Sequence, residues 1–169
     1  MAISALMVGT AAFADDPSCD ERFTLDCNEV LEFPDRLICS LDYLLPVVVD
    51  GEFPQRDGTG FLVGPHAVLT SGHVVFERRF EGQAIYQKTT GFLIRPAACM
   101  VAGNQVSQLG ELGVELKVEV TDKYAQPSTT FPYKYDLGVV HFICPFQTLR
   151  TYMPIRCDFE SGEVKLGGY

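Results

Sequence analysis

The chain has 169 residues, 47% of them hydrophobic and 21% charged, with a formal net charge of -9. That length suits one domain with a real core. The acidic balance, with Lys and Arg scattered, argues against a phosphate-binding surface, so nucleic acid is not an expected partner.

Taken in chain order, Ala2 to Ala12 is a short apolar segment, and Ala12-Phe13-Ala14 before Asp15 fits the small-residue cleavage pattern of a signal peptide. Residues 1–14 are therefore expected to direct export, and the protein is expected to be secreted or periplasmic. No Lys or Arg precedes the apolar part, so the reading expects a misplaced start codon or a start further upstream. Elsewhere no apolar run reaches the roughly 18–20 residues of a membrane helix, and no membrane span is expected. Cys19, Cys27, Cys39, Cys99, Cys144 and Cys157 fit the same compartment, because oxidising surroundings let thiols pair. None sits in a C-x-x-C pair, which speaks against a zinc or redox site, and the pairing stays open. Residues 15–43 are acidic and irregular. They read as a pro-segment or as an extension stapled to the body by disulfides, with the Glu29 to Asp35 cluster as a solvated face.

From Leu44 the texture changes to short β-rich runs cut by turn residues. "LLPVVVD" precedes a Gly/Pro-marked loop, and "FLVG" and "AVLT" flank Gly64-Pro65-His66 as the arms of a tight hairpin. "AIYQKTTGFLI" follows, then "VELKVEV", where Val114, Leu116, Val118 and Val120 alternate with polar partners as on a half-buried strand. "LGVVHFI" reads as a more fully apolar strand behind Tyr135-Asp136. Short strands without a long amphipathic helix predict an all-β fold, an antiparallel barrel or sandwich. Residues 145–162, with Pro145, Pro154 and Gly162, look like a connector, and 163–169, "EVKLGGY", begin another strand.

The stretch "DGTGFLVGPHAVLTSGHVVF", residues 57–76, offers two chemistries. A dinucleotide site needs G-x-G-x-x-G between a strand and a helix, so that the helix N-terminus meets the pyrophosphate. Gly58, Gly60 and Gly64 are spaced one residue too far, "EFPQRD" is no hydrophobic strand, and a proline-bearing hairpin follows instead of a helix. The glycines are better read as backbone devices of a hairpin, and no cofactor is expected. A hydrolytic imidazole, in contrast, needs an acid on one ring nitrogen and a nucleophile at the other. His73 follows "AVLT" through the small residues Ser71 and Gly72, and Asp136 stands just before a buried strand, where a carboxylate would be held rigidly.

The words around these residues are more specific. "GTGFLVGPHAVLTSGHVV" resembles the catalytic-histidine segment of trypsin-like serine peptidases, and "YDLGVVHF" resembles their aspartate segment, in the family's order. The bacterial-type branch with the glutamyl endopeptidases is nearest, since Val74 stands where animal trypsins commonly carry a half-cystine. Ser71 departs from the usual alanine. The resemblance covers roughly residues 44–169. It implies His73 as general base, Asp136 as its orienting acid, and a pair of antiparallel barrels with the site between them. On that reading residues 44–144 are the first barrel and 163–169 begin the second.

The family's nucleophile lies in G-[DN]-S-G-G, aided by backbone N–H groups aimed at the oxyanion. These 169 residues hold no such segment. Ser161-Gly162 lacks the second glycine and reads as a linker turn, and Cys157 in "RCDFES" has no glycines around it. No nucleophile is therefore assigned. His66 is expected in a solvated turn and His141 within a strand, with no metal pair formed. Tyr124, Tyr133 and Tyr135 flank the aspartate loop and line a substrate groove or cover a barrel end. Two functions follow: a secreted serine endopeptidase acting on protein or peptide substrates, present as its N-terminal part, or a non-catalytic trypsin-like homologue that binds proteins.

Overall fold

The computed structural model describes residues 26–112, 115–128, 130, 132–146 and 149–155. The segment 1–14 expected to direct export, Cys19, Cys157, Ser161 and the strand expected over 163–169 lie outside them. The chain folds as an all-β protein around a six-stranded antiparallel sheet that curls into a half-barrel. Its strands are β1 (Ile38–Leu44), β2 (Gln55–Gly64), β3 (Ala67–Thr70), β6 (Thr90–Pro96), β9 (Glu115–Val120) and β10 (Gly138–Phe142), in the order β6-β1-β2-β3-β10-β9. Two separate hairpins pair β4 (Phe76–Phe80) with β5 (Gln83–Lys88) and β7 (Ala98–Val101) with β8 (Asn104–Ser107). Their turns, Glu81-Gly82 and Ala102-Gly103, have both residues at positive φ, the twist-matched form favoured in two-residue hairpin loops.

Strand β1 shows how the sheet is written. Cys39, Leu41 and Tyr43 point into the main core, while Ser40 and Asp42 take the other face. The polar face is satisfied from a distance: Ser40 Oγ lies 2.5 Å from Gln105 Oε1, and Arg95 meets both Asp42 and Glu111. On β2, Gly60 leaves room for its neighbours. A Cβ there would stand 2.3 Å from Val68 Cγ1 and 3.0 Å from the Leu69 carbonyl. Leu37, Leu41, Leu62, Val68, Val75, Phe92, Ile94, Val140 and Phe142 are almost fully buried in one cluster. Burial of each such side chain contributes about 1.5–3 kcal/mol before entropy is counted.

The expected hairpin of "FLVG" and "AVLT" is present as β2–β3, turning at Pro65-His66. "LLPVVVD" is not a strand. The ladder ends at Leu44, and beyond Pro46 only an isolated bridge, Val49 with Glu52, remains. Instead the sheet begins at Ile38, inside the segment that the sequence assigns to an extension. The described residues of that segment ahead of the strand, from 26 onward, are tied down as well. Cys27 and Cys99 form a disulfide, and Val30, Ala97 and Cys99 make a second, small core. Asp35, expected on a solvated face, is buried, unlike exposed Glu29 and Glu32. Among the described residues no helix is long and apolar enough to cross a membrane.

Candidate active site

His73 sits on a one-turn helix, α1 (Gly72–Val75), that begins where β3 ends. Ser71 occupies the N-cap position but gives no side-chain cap bond. Asp136, from the far end of the chain, takes that role: its Oδ1 accepts from the His73 backbone N–H at 2.7 Å. Its other oxygen, Oδ2, lies 2.7 Å from His73 Nδ1. One carboxylate thus fixes both the backbone and the ring of the same histidine.

Glycines make this approach possible. A Cβ on Gly72 would stand 3.0 Å from Asp136 Oδ1 and 3.1 Å from the Leu137 nitrogen. On Gly138 it would meet Val75 Cγ2 at 2.4 Å and the Ser71 carbonyl at 3.0 Å. Gly58 does the same from below, its Cβ position being 2.9 Å from Val74 Cγ2. Gly58 and Gly60 therefore serve strand and helix packing within β2. At the other end of α1, fully buried Thr89 closes the turn. Its hydroxyl donates to the Val74 carbonyl at 2.6 Å and its N–H to the Val75 carbonyl at 3.1 Å.

A carboxylate only accepts, so Nδ1 carries the proton of this bond and Nε2 is left as the ring's acceptor. The His73 side chain is 60% exposed and that of Asp136 23%. The basic nitrogen's ring is thus open to an approaching group while the acid is largely sheltered. The hydrogen bond to Asp136 raises the His73 pKa above the ordinary imidazole value, helped by the charges of Asp136 and Glu77 and opposed by partial burial. An imidazole so held can accept a proton at Nε2 and keep the resulting cation stabilised at Nδ1.

The other sequence candidates are placed apart from this pair. His66 Nδ1 lies 3.2 Å from the Phe142 carbonyl and its ring packs on Phe142. His141, half-buried on β10, has Nε2 3.5 Å from Glu119, which also binds Lys117. Among the described residues no three His, Cys, Asp or Glu side chains are grouped to hold a metal ion. The three tyrosines divide. Tyr124 is buried, edge-on to Phe76 and beneath the Arg78 guanidinium. Tyr135 is half-buried under Lys123, and Tyr133 is exposed. The sequence singles out His73 and Asp136, and the fold brings the two side chains together. The sequence does not single out Thr89 or Gly138, whose contacts reach across the fold. No family model matches the chain, and no curated protein matches it.

Proposed function

We propose that this half-barrel is the base-bearing part of a trypsin-like serine endopeptidase, with His73 as general base and Asp136 as its orienting acid. The observation that carries the reading is the double engagement of one carboxylate with the N–H and Nδ1 of an exposed histidine. In the reaction, a serine hydroxyl gives its proton to Nε2 as its oxygen attacks the scissile carbonyl. Asp136 stabilises the imidazolium, which then returns the proton to the departing amine. The serine and the oxyanion donors would come from a second barrel, since these residues contain no G-[DN]-S-G-G segment. Protein or peptide substrates and an oxidising, extracytoplasmic setting go with this reading, the latter supported by the Cys27–Cys99 disulfide.

The test uses the chain extended through its downstream coding sequence. A fluorophosphonate probe should label a serine within G-[DN]-S-G-G, and a fluorogenic peptide should be cleaved. His73→Ala should lower turnover by about 10²–10⁴-fold, the usual worth of a positioned base. The 169-residue chain alone should do neither. An extended protein that folds but neither labels nor cleaves would overturn the peptidase reading in favour of a protein-binding homologue. Labelling of the short chain at Ser161 would instead overturn the assignment of that residue as a linker turn.

A further inference from the structure

Asp136 must present both carboxylate oxygens at once, one to a backbone N–H and one to a ring nitrogen. Such a demand is sensitive to placement, because a displacement of about 1 Å at a catalytic group costs on the order of 10²-fold in rate. Asp136 itself lies in no strand or helix. It falls between a 3₁₀ turn, Pro132–Tyr135, and the start of β10. Local turn bonds, Leu137 N–H to the Tyr135 carbonyl at 2.8 Å and Asp136 N–H to the Tyr133 carbonyl at 3.4 Å, shape the backbone there from within. Thr121, the residue after β9, holds it from a neighbouring element. Its hydroxyl donates to the Tyr135 carbonyl at 2.5 Å, and its N–H donates to the Leu137 carbonyl at 3.3 Å. Those two carbonyls belong to the residues on either side of Asp136.

The two contacts differ in origin. The backbone contact continues the β9–β10 register one step beyond the Gly138–Val120 pair. The hydroxyl contact reaches a residue that no ladder would hold. Thr121 is also the N-cap of α2 (Asp122–Ala125), where its hydroxyl accepts from the Tyr124 N–H, but at 3.4 Å. Capping is therefore the looser use of this oxygen, and its short bond goes to the aspartate loop.

We propose that Thr121 is a positioning residue, which by gripping both carbonyls around Asp136 sets the carboxylate that orients His73. The inference rests on His73 and Asp136 being base and acid, as proposed above. Its prediction concerns the pair itself and is read without any turnover.

The experiment is an NMR titration of the His73 ring in the 169-residue chain, with Asp136 and Glu77 the charges that act on that ring. Asp136→Asn should lower the midpoint most. Thr121→Val, which keeps shape and loses the donor, should lower it part of the way, on the order of half a pH unit. Thr121→Ser should restore the wild-type midpoint. Ser107→Ala, which removes a 2.5 Å hydroxyl bond to the Pro96 carbonyl on the remote hairpin, should leave it unchanged. If the valine variant does not fold, Thr121→Cys, with a weaker donor, should give a smaller shift in the same direction. A folded Thr121→Val or Thr121→Cys protein with the wild-type midpoint overturns the positioning role and leaves Thr121 a helix cap. An Asp136→Asn protein with an unmoved midpoint overturns the pairing beneath it.

Discussion

Around His73 the structure is held by apolar packing, whereas residues 27–31, ahead of buried Leu37 and β1, are held mainly by a covalent bond. The first region rests on one large cluster that runs from Leu37 through Phe92 to Phe142 and includes Val74 and Val75 of the histidine helix. The second shares only Val30, Ala97 and Cys99, with Cys27, Leu31 and Leu109 packed at its edge. A cluster of that size buries too little area to fix a segment alone, and the Cys27–Cys99 disulfide supplies the missing constraint. The geometry of the site thus depends on packing, and the hold on the extension depends on redox state. Each can be perturbed without the other.

The largest effect should come from the packed side. Phe92 is 1% exposed and stacks on Tyr43 with ring centroids 5.7 Å apart. Phe92→Ala should cost about 3–5 kcal/mol of unfolding free energy in a urea titration. A loss below about 1 kcal/mol would mean that this cluster is not the main core of the fold. Removing the disulfide comes next. Cys27→Ser with Cys99→Ser opens a link that spans 72 residues, and about 2–4 kcal/mol should be lost. The His73 ring should nevertheless titrate as before in this disulfide-free variant. A shifted midpoint there would show that the extension reaches the site after all.

Gly138→Ala tests the contact between the two halves of the pair. The new methyl would stand 2.4 Å from Val75 Cγ2, a fully buried β-branched side chain with little freedom to turn away, and 3.0 Å from the Ser71 carbonyl, which is backbone. Overpacking of this kind costs about 1–3 kcal/mol. Because α1 must move to relieve it, the His73 midpoint should fall together with stability, which the disulfide variant should not show.

What could be read beforehand follows the reach of the interactions. The β2–β3 hairpin was legible because its signals, two short β-rich runs around a Gly-Pro turn, lie within a few residues. The pair His73 and Asp136 was legible because each sits in a distinctive local word, and the structure brings Nδ1 and Oδ2 to 2.7 Å. Strand β1 was not. "ICSLDYL" alternates, but Ser40 and Asp42 make it look like loop, and their partners Gln105 and Arg95 are far along the chain. Buried Asp35 escaped in the same way, since its acidic neighbours Glu29 and Glu32 are exposed. Thr89, Thr121 and Gly138 carry no local signal, because each matters through a carbonyl or methyl that only the folded chain brings near.

The smallest expected effect is the pH dependence of the pair. His73 has its pKa raised in the folded protein, first by the hydrogen bond to Asp136. A group raised on folding binds its proton more tightly in the native state, so its contribution is complete below the unfolded value, about 6.5. That contribution is lost as pH rises through the higher folded value. Stability of wild type minus that of His73→Gln should therefore be greatest near pH 6 and shrink toward alkaline pH. With the side chain 60% exposed, solvent screening should keep the whole change within about 1 kcal/mol. The same subtraction in an Asp136→Asn background should vary much less with pH, because the first cause of the raised pKa is gone while burial and the Glu77 charge oppose each other. A difference that grows with pH would reverse the sign required by a raised pKa. It would mean that the neutral ring, not the imidazolium, is the form Asp136 favours, and His73 could not then hold the proton that general-base chemistry hands to it.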